Sequence, residues 1–331
     1  MRVAFVLYPE AIVINKSNGI RNQALKWRDA LDGLADVELI SPWQTIDWGK
    51  YDIIHFFGGT QWLGFVPDLR RLNDNVVFSP VWDSVDSQQK LRRLAAAGWK
   101  GYHHPWNMYR QYLHSFKGIF VRSDYEAEYM RYSFKVPDDC LHYAPIGYEI
   151  QIEDKDVMEK EDFCLHVSAL YQERKNVHRL VEAALQGNFR LVLCGNTGNE
   201  SQRHEIESWA QGSPLIDIKG FVSADELKRL YEKAKVFALP SLNEGVGIVA
   251  LNAAVAGCEV VLTQIGGPKE YFGGMAHLVN PFDIGDIANA VSKAMSMKST
   301  GKLRSYITEK YSPQAIGYTL LNCYKQIMAK I

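Results

Sequence analysis

Short apolar runs alternate with segments of helical period along the whole of this chain. The strand-like runs are Val3–Tyr8, Val37–Ile40, Ile53–Phe57, Val76–Ser79, Gly118–Val121 and Leu141–Ala144, followed by Phe163–Val167, Arg190–Leu193, Leu215–Ile218, Val236–Leu239, Val260–Thr263 and His277–Val279. Between the first two, Ile20, Ala24, Trp27, Leu31 and Leu34 recur at spacings of 4, 3, 4 and 3, which draws one apolar stripe along a helix. Val177–Ala184, Ala224–Lys235 and Val246–Ala256 fit helices between later strands. Residues 312–331 predict a last helix with Ile316, Leu320, Tyr324, Ile327 and Met328 on one side. Alternation of this kind builds parallel sheets covered by helices on both faces. The expected class is α/β, with two doubly wound halves.

Glu and Asp crowd residues 151–162, a stretch with little to bury, which predicts a solvated linker there. The expected domains are therefore 1–150, 151–311 and a C-terminal helix 312–331 free to pack back on the first half. At 47% hydrophobic and 23% charged the chain can bury a core and is not disordered. Its 37 Lys and Arg balance 38 Asp and Glu, which disfavours a nucleic acid, whose phosphates demand an excess of cations. No apolar run approaches the ~20 residues of a membrane span. The N-terminal Met1–Pro9 lacks the apolar core and cleavage site of a secretory signal and reads as a strand. Five scattered cysteines without a Cys-x-x-Cys indicate neither a disulfide framework nor a zinc site, so a cytoplasmic protein is expected.

Two segments carry the candidate chemistry. In Leu239-Pro240-Ser241-Leu242-Asn243-Glu244-Gly245-Val246-Gly247-Ile248 a buried strand ends, a turn presents Glu244, and two glycines lead into an apolar helix. Ligands of open α/β sheets sit at the carboxyl ends of strands, and the unpaired N–H groups of a helix N-terminus suit a phosphate. A carboxylate beside them can accept from sugar hydroxyls; taken alone, the same turn also reads as a solvated Glu. The second segment, Val167-Ser168-Ala169-Leu170-Tyr171-Gln172-Glu173-Arg174-Lys175-Asn176, puts two cations just after the first strand of the second half. The nine histidines include His103-His104 but no His-x-x-x-His, so no metal is expected.

Together these motifs resemble the retaining, nucleotide-sugar-dependent glycosyltransferases of family 4, which have the GT-B fold. The resemblance rests on Gly220-Phe221-Val222, Glu226-Leu227, Ala234–Ser241, Glu244-Gly245-Val246-Gly247, Gly266-Gly267-Pro268-Lys269-Glu270, Val279-Asn280-Pro281 and the Arg174-Lys175-Asn176 loop. It implies two Rossmann-like domains flanking a cleft, the first for the acceptor and the second for the nucleotide sugar. Arg174, Lys175 and Glu244 would be catalytic, and Gly19, Val222, Gly245, Val246, Gly247 and Asn252 would bind the donor. Asn252 stands where the family has a second Glu, eight positions after the first. Gly19, in Lys16-Ser17-Asn18-Gly19-Ile20, would approach the diphosphate from the first domain, although Ser17 or Asn18 also reads as a helix cap.

The implied reaction moves a sugar from a nucleotide-diphosphate donor to a glycan or lipid-linked acceptor, as in cell-surface polysaccharide synthesis, with no cofactor and no metal. Asp83, and after it His104, are the acceptor-side candidates. Seven of the eight tryptophans precede residue 110, more than a small core would take, and loop tryptophans could stack on acceptor sugars. The basic run Lys90-Leu91-Arg92-Arg93 permits a weak peripheral contact with the inner membrane. A nicotinamide dehydrogenase is disfavoured because no Gly-x-Gly-x-x-Gly follows the first strand of either half. The remaining alternative is a non-catalytic nucleotide-sugar-binding homologue or partner subunit, kept open by Asn252.

Overall fold

The computed structural model describes residues 1–8, 18–41, 45–59, 63–82, 86–99, 102–103, 105–152 and 159–330. Two compact units form, one from Met1–Ile146 with Tyr311–Ile331, the other from Gly147–Lys310. The first unit contains β1 (Arg2–Leu7), β2 (Asp36–Leu39), β3 (Ile53–Phe57), β4 (Val76–Ser79), the short pair β5 (Gly98–Trp99) and β6 (Tyr102–His103), β7 (Gly118–Val121) and β8 (Leu141–Tyr143). Six of these make an all-parallel sheet in the order β2-β1-β3-β4-β7-β8. Every residue of β3 is buried because helices cover both faces. The helix Gly19–Ala30 lays Trp27 on the sheet, and Asn18 caps it by accepting from the backbone N–H of Ile20 and Arg21 at 3.0 and 3.1 Å.

The C-terminal helix Pro313–Ala329 belongs to this first unit. It crosses so close to the end of the first helix that a Cβ on Gly317 would lie 2.0 Å from the Ala30 carbonyl oxygen. Its Tyr324 hydroxyl is 2.7 Å from Nδ1 of the buried His55, whose Nε2 is 2.8 Å from Ser79 Oγ. Burial without a counter-charge holds His55 well below the usual imidazole range.

The second unit comprises β9 (Glu161–Val167), β10 (Leu191–Cys194), β11 (Ile216–Gly220), β12 (Ala234–Leu239), β13 (Glu259–Thr263) and β14 (His277–Val279). All six are parallel, in the order β11-β10-β9-β12-β13-β14. The chain reverses its direction of winding between β9 and β12, and at such a switch point the loops leaving the two strands diverge and open a crevice.

Three sequence expectations need correction. The acidic stretch 151–162 is not linker to its end: Glu161 and Asp162 open β9, their carboxylates held by Lys233 and Lys235 at 2.9 and 2.8 Å. The helix expected over 224–235 stops at Lys233 and passes straight into β12. There Lys160 Nζ donates to the carbonyls of Tyr231, Glu232 and Ala256 at 3.2, 2.8 and 2.6 Å, and the first two are acceptors that a longer helix would have used itself. Finally, Trp82, in the loop after β4, is not an exposed aromatic. It is buried with Tyr109, Tyr129 and Phe134, and the half-buried Trp106 packs edge-on against it at 5.0 Å. Helices Gln88–Ala96, Pro105–Tyr112 and Asp124–Phe134 supply the extra layer that absorbs these rings. Trp43 and Trp62 lie outside the described residues.

Candidate functional site

The loops leaving β9 and β12 bring the two motifs together. Lys175 ends a single 3-10 turn, Glu173–Lys175, and its Nζ donates to Glu244 Oε2 at 2.5 Å. Both side chains are buried. Arg174 approaches the other carboxylate oxygen, Oε1, at 3.9 Å and donates through Nε to Gln172 Oε1 at 3.1 Å. Ser241 Oγ donates to Glu244 Oε2 at 3.2 Å. Two cations and one carboxylate thus share the switch point of the sheet. Lys175 and Ser241 both meet Oε2, and a buried pair needs such added hydrogen bonds to offset the desolvation of its charges.

Several residues outside the expected set build this arrangement. Asn176 sits in the left-handed region at φ 60° and is fully buried; its Nδ2 donates to the Pro240 and Pro281 carbonyls at 2.9 and 2.6 Å. That side chain staples the Arg174-Lys175 turn to the β12 loop, and the Leu242 N–H adds a bond to the Arg174 carbonyl at 2.8 Å. Gly266, at φ 94°, passes under Glu244 so closely that a Cβ would lie 2.2 Å from the Glu244 carbonyl oxygen. Gly195 plays the same part below β9, where a Cβ would overlap the Ser168 carbonyl oxygen at 1.8 Å. The left-handed Asn and the glycine pairs were visible as residue types, but only the strand order shows what they approach.

His166, at the end of β9, is fully buried, with Nδ1 2.8 Å from the Ala238 carbonyl and Nε2 2.7 Å from Ser168 Oγ. A carbonyl can only accept, so Nδ1 carries the proton and Nε2 accepts from the serine. Burial pushes this imidazole down to about 4, with the nearby Lys175 acting in the same sense.

The remaining donor candidates fall into four places. Gly245, Val246 and Gly247 are buried directly after Glu244, and Gly247, at φ 75°, caps the helix Ile248–Val255. Val222 follows β11 two residues beyond Gly220, beside the exposed ring of Phe221. Asn252 is buried on the Ile248–Val255 helix, and its Oδ1 accepts from the backbone N–H of Glu149 at 2.7 Å and of Ile150 at 3.3 Å. Gly19 belongs to the first unit, as the first residue of its helix, with open space where a Cβ would be. Asp83 and His104 lie outside the described residues. Among the described residues no three His, Cys, Asp or Glu side chains converge on a metal-binding group, and no helix is long and apolar enough to cross a membrane.

Comparison with known proteins gives this geometry a class. Residues 148–312, which hold the whole Lys175–Glu244 arrangement, match the family of glycosyl transferases group 1. An uncharacterized glycosyltransferase of Methanocaldococcus jannaschii is 38% identical over 189 residues, 52% of this chain and 47% of that protein. The serotype-specific mannosyltransferase WbdA of Escherichia coli is 29% identical over 145 residues, 41% of this chain and 18% of its own length. The chain thus matches less than half the length of these curated relatives. Among solved structures, sucrose-phosphate synthase from Thermosynechococcus elongatus superposes with a TM-score of 0.74 at 17% identity, covering 100% of both chains. HepE of Anabaena, solved with UDP and glucose, gives 0.71 at 14% identity over 98% of this chain and 99% of its own. The fold is GT-B, and the match to glycosyl transferases group 1 falls on the second unit of that fold.

Proposed function

We propose that this chain is a retaining glycosyltransferase of family 4, transferring a sugar from a nucleoside-diphosphate donor to a hydroxyl of a glycan or lipid-linked acceptor. The observation that carries the reading is the buried Lys175–Glu244 pair with Arg174 beside it, at the switch point of a parallel sheet. The bond between the anomeric carbon and the diphosphate oxygen breaks, and the acceptor oxygen bonds that carbon on the same face. The acceptor proton passes to the departing diphosphate oxygen. Charge grows on that oxygen as the bond stretches, so cations fixed beforehand stabilise the transition state more than the bound donor. Arg174 and Lys175 supply those cations without a bound metal. Glu244 holds Lys175 in place and accepts from hydroxyls of the transferred sugar, and the N-terminus of the Ile248–Val255 helix receives the phosphates through Gly245–Gly247.

The named relatives support the chemical class: WbdA is a mannosyltransferase and HepE was solved with UDP and glucose. We place the acceptor on the first unit and the reaction in the cytoplasm, peripherally at the inner membrane where the acceptor is lipid-linked. In support, helix Gln88–Ala96 buries Leu91 and Ala95 and leaves Lys90, Arg92 and Arg93 exposed. The test is thermal shift with UDP, GDP, ADP and dTDP and their common sugars, followed by turnover of whichever donor binds. Arg174→Ala and Lys175→Ala should each lower turnover by about 10²–10³. Wild-type rates in both would remove the diphosphate assignment, and binding without transfer or hydrolysis would leave a non-catalytic nucleotide-sugar binder.

A further inference from the structure

Asn252 is the candidate donor residue whose hydrogen-bonding capacity is most visibly spent. Its carboxamide has one oxygen, with two lone pairs, and one NH₂. Both backbone donors that reach it, from Glu149 and Ile150, converge on Oδ1, which fixes the amide's orientation without ambiguity. The side chain is 7% exposed and lies beside the buried Tyr231 hydroxyl without closing a well-formed hydrogen bond to it. Glu149 and Ile150 lie within the first residues of the second unit, just after the chain leaves the first at Ile146. Asn252 stands on the helix whose N-terminal end carries Gly245–Gly247. One side-chain oxygen therefore ties the start of the unit to the helix that shapes the proposed donor site.

We infer that Asn252 is a positioning residue, clamping the Glu149–Ile150 backbone to the Ile248–Val255 helix, and that it does not use its oxygen to bind the nucleotide. No acceptor at this position remains for a ribose hydroxyl, and what the site receives from Asn252 is a fixed helix. The inference rests on the donor-site reading above only for its effect on binding; the clamp itself stands on the two backbone hydrogen bonds.

The two roles separate by substitution. Asn252→Asp keeps an oxygen for both backbone N–H groups, which also offset the charge it gains, and loses the amide hydrogens, whereas Asn252→Ala strands two part-buried donors. Asn252→Ala should lower the melting temperature of the apo protein by roughly 3–8 °C, and Asn252→Asp should stay within about 2 °C of wild type. By hydrogen exchange, the Glu149 and Ile150 amides should be protected in wild type and Asn252→Asp and exchange freely in Asn252→Ala. Dissociation constants for UDP, GDP, ADP or dTDP, whichever binds, should rise about tenfold in Asn252→Ala and stay within about threefold in Asn252→Asp. If Asn252→Asp restores protection and melting but binds nucleotide as weakly as Asn252→Ala, the amide touches the nucleotide directly and the positioning role is overturned. If Asn252→Ala keeps the two amides protected, the clamp is overturned. If none of the four nucleotides binds wild type, the donor-site reading falls alone, and the exchange comparison still decides the clamp.

Discussion

Lys175 and Glu244 are each buried, and each is kept there by the other at 2.5 Å. Removing one partner of such a pair leaves an uncompensated charge, at a cost of about 3–5 kcal/mol, whereas replacing both by neutral groups of like shape is often close to neutral. Lys175→Met should therefore destabilise the second unit by about 3 kcal/mol in urea unfolding, and adding Glu244→Gln should recover most of that loss. Additive losses in the double variant would mean that the two side chains do not interact. His166 supplies a second check at this scale. Its imidazole titrates at about 4 in the folded protein against about 6.5 when unfolded, chiefly because it is buried. As pH falls from 6.5 towards 4 the unfolded chain takes up this proton first, so stability drops across that window and is fully retained above it. The drop from this residue amounts to about 3 kcal/mol. Unfolding at pH 7, 5.5 and 4.5 should show it, and His166→Asn should be less acid-sensitive between 6.5 and 4.

At the scale of elements, the glycines divide into those the fold requires and those it does not. Gly266 combines φ 94° with a Cβ position 2.2 Å from the Glu244 carbonyl oxygen, and backbone cannot yield as a flexible side chain would. Gly266→Ala should displace the Glu244 turn and abolish the thermal shift given by nucleotide. Gly19 has an ordinary φ and nothing within 4 Å, so Gly19→Ala should leave stability unchanged within about 0.5 kcal/mol. Any fall in donor affinity in Gly19→Ala would then come from a clash with the ligand itself. An unchanged affinity would withdraw Gly19 from the donor site.

Elements also show how much the sequence disclosed. Strands such as Ile53–Phe57, Val76–Ser79 and Gly118–Val121 were legible to the residue because burial on both faces leaves continuous apolar runs. Helices Gln88–Ala96 and Glu200–Trp209 were not, since they bury only Leu91 and Ala95, and Ile206, and so draw almost no apolar stripe. The helix read as Val246–Ala256 begins at Ile248 because Gly247 takes the left-handed conformation that ends the turn before it. In the site, the position of each motif at a strand end was readable. The Lys175–Glu244 contact spans 69 positions and follows from strand order. Asn176, Gly266 and Asn252 act on backbone groups distant in sequence, and a residue's type says nothing about which carbonyl or N–H it will meet.

At the scale of the molecule, the chain builds most of the first unit, then the whole second unit, and returns to finish the first with residues 311–331. The first core is thus incomplete until the last helix arrives. That helix is not loosely apposed. Gly317 lets it approach the Ala30 carbonyl, and Tyr324 supplies the hydroxyl that meets His55 at the centre of the sheet. Gly317→Ala inserts a methyl group where backbone oxygen already lies, and overpacking against backbone costs about 3 kcal/mol. Tyr324→Phe keeps the ring but strands a buried imidazole nitrogen, a loss of about 1–3 kcal/mol. Both changes lie in the last fifteen residues, yet their effect should appear in strands laid down at the start. Hydrogen exchange on the full-length variants should show β1, β3 and β7 losing protection while β9, β10 and β12 keep theirs. Equal loss in both sets would mean that the tail stabilises the molecule as a whole, and that the first unit does not depend on it in particular.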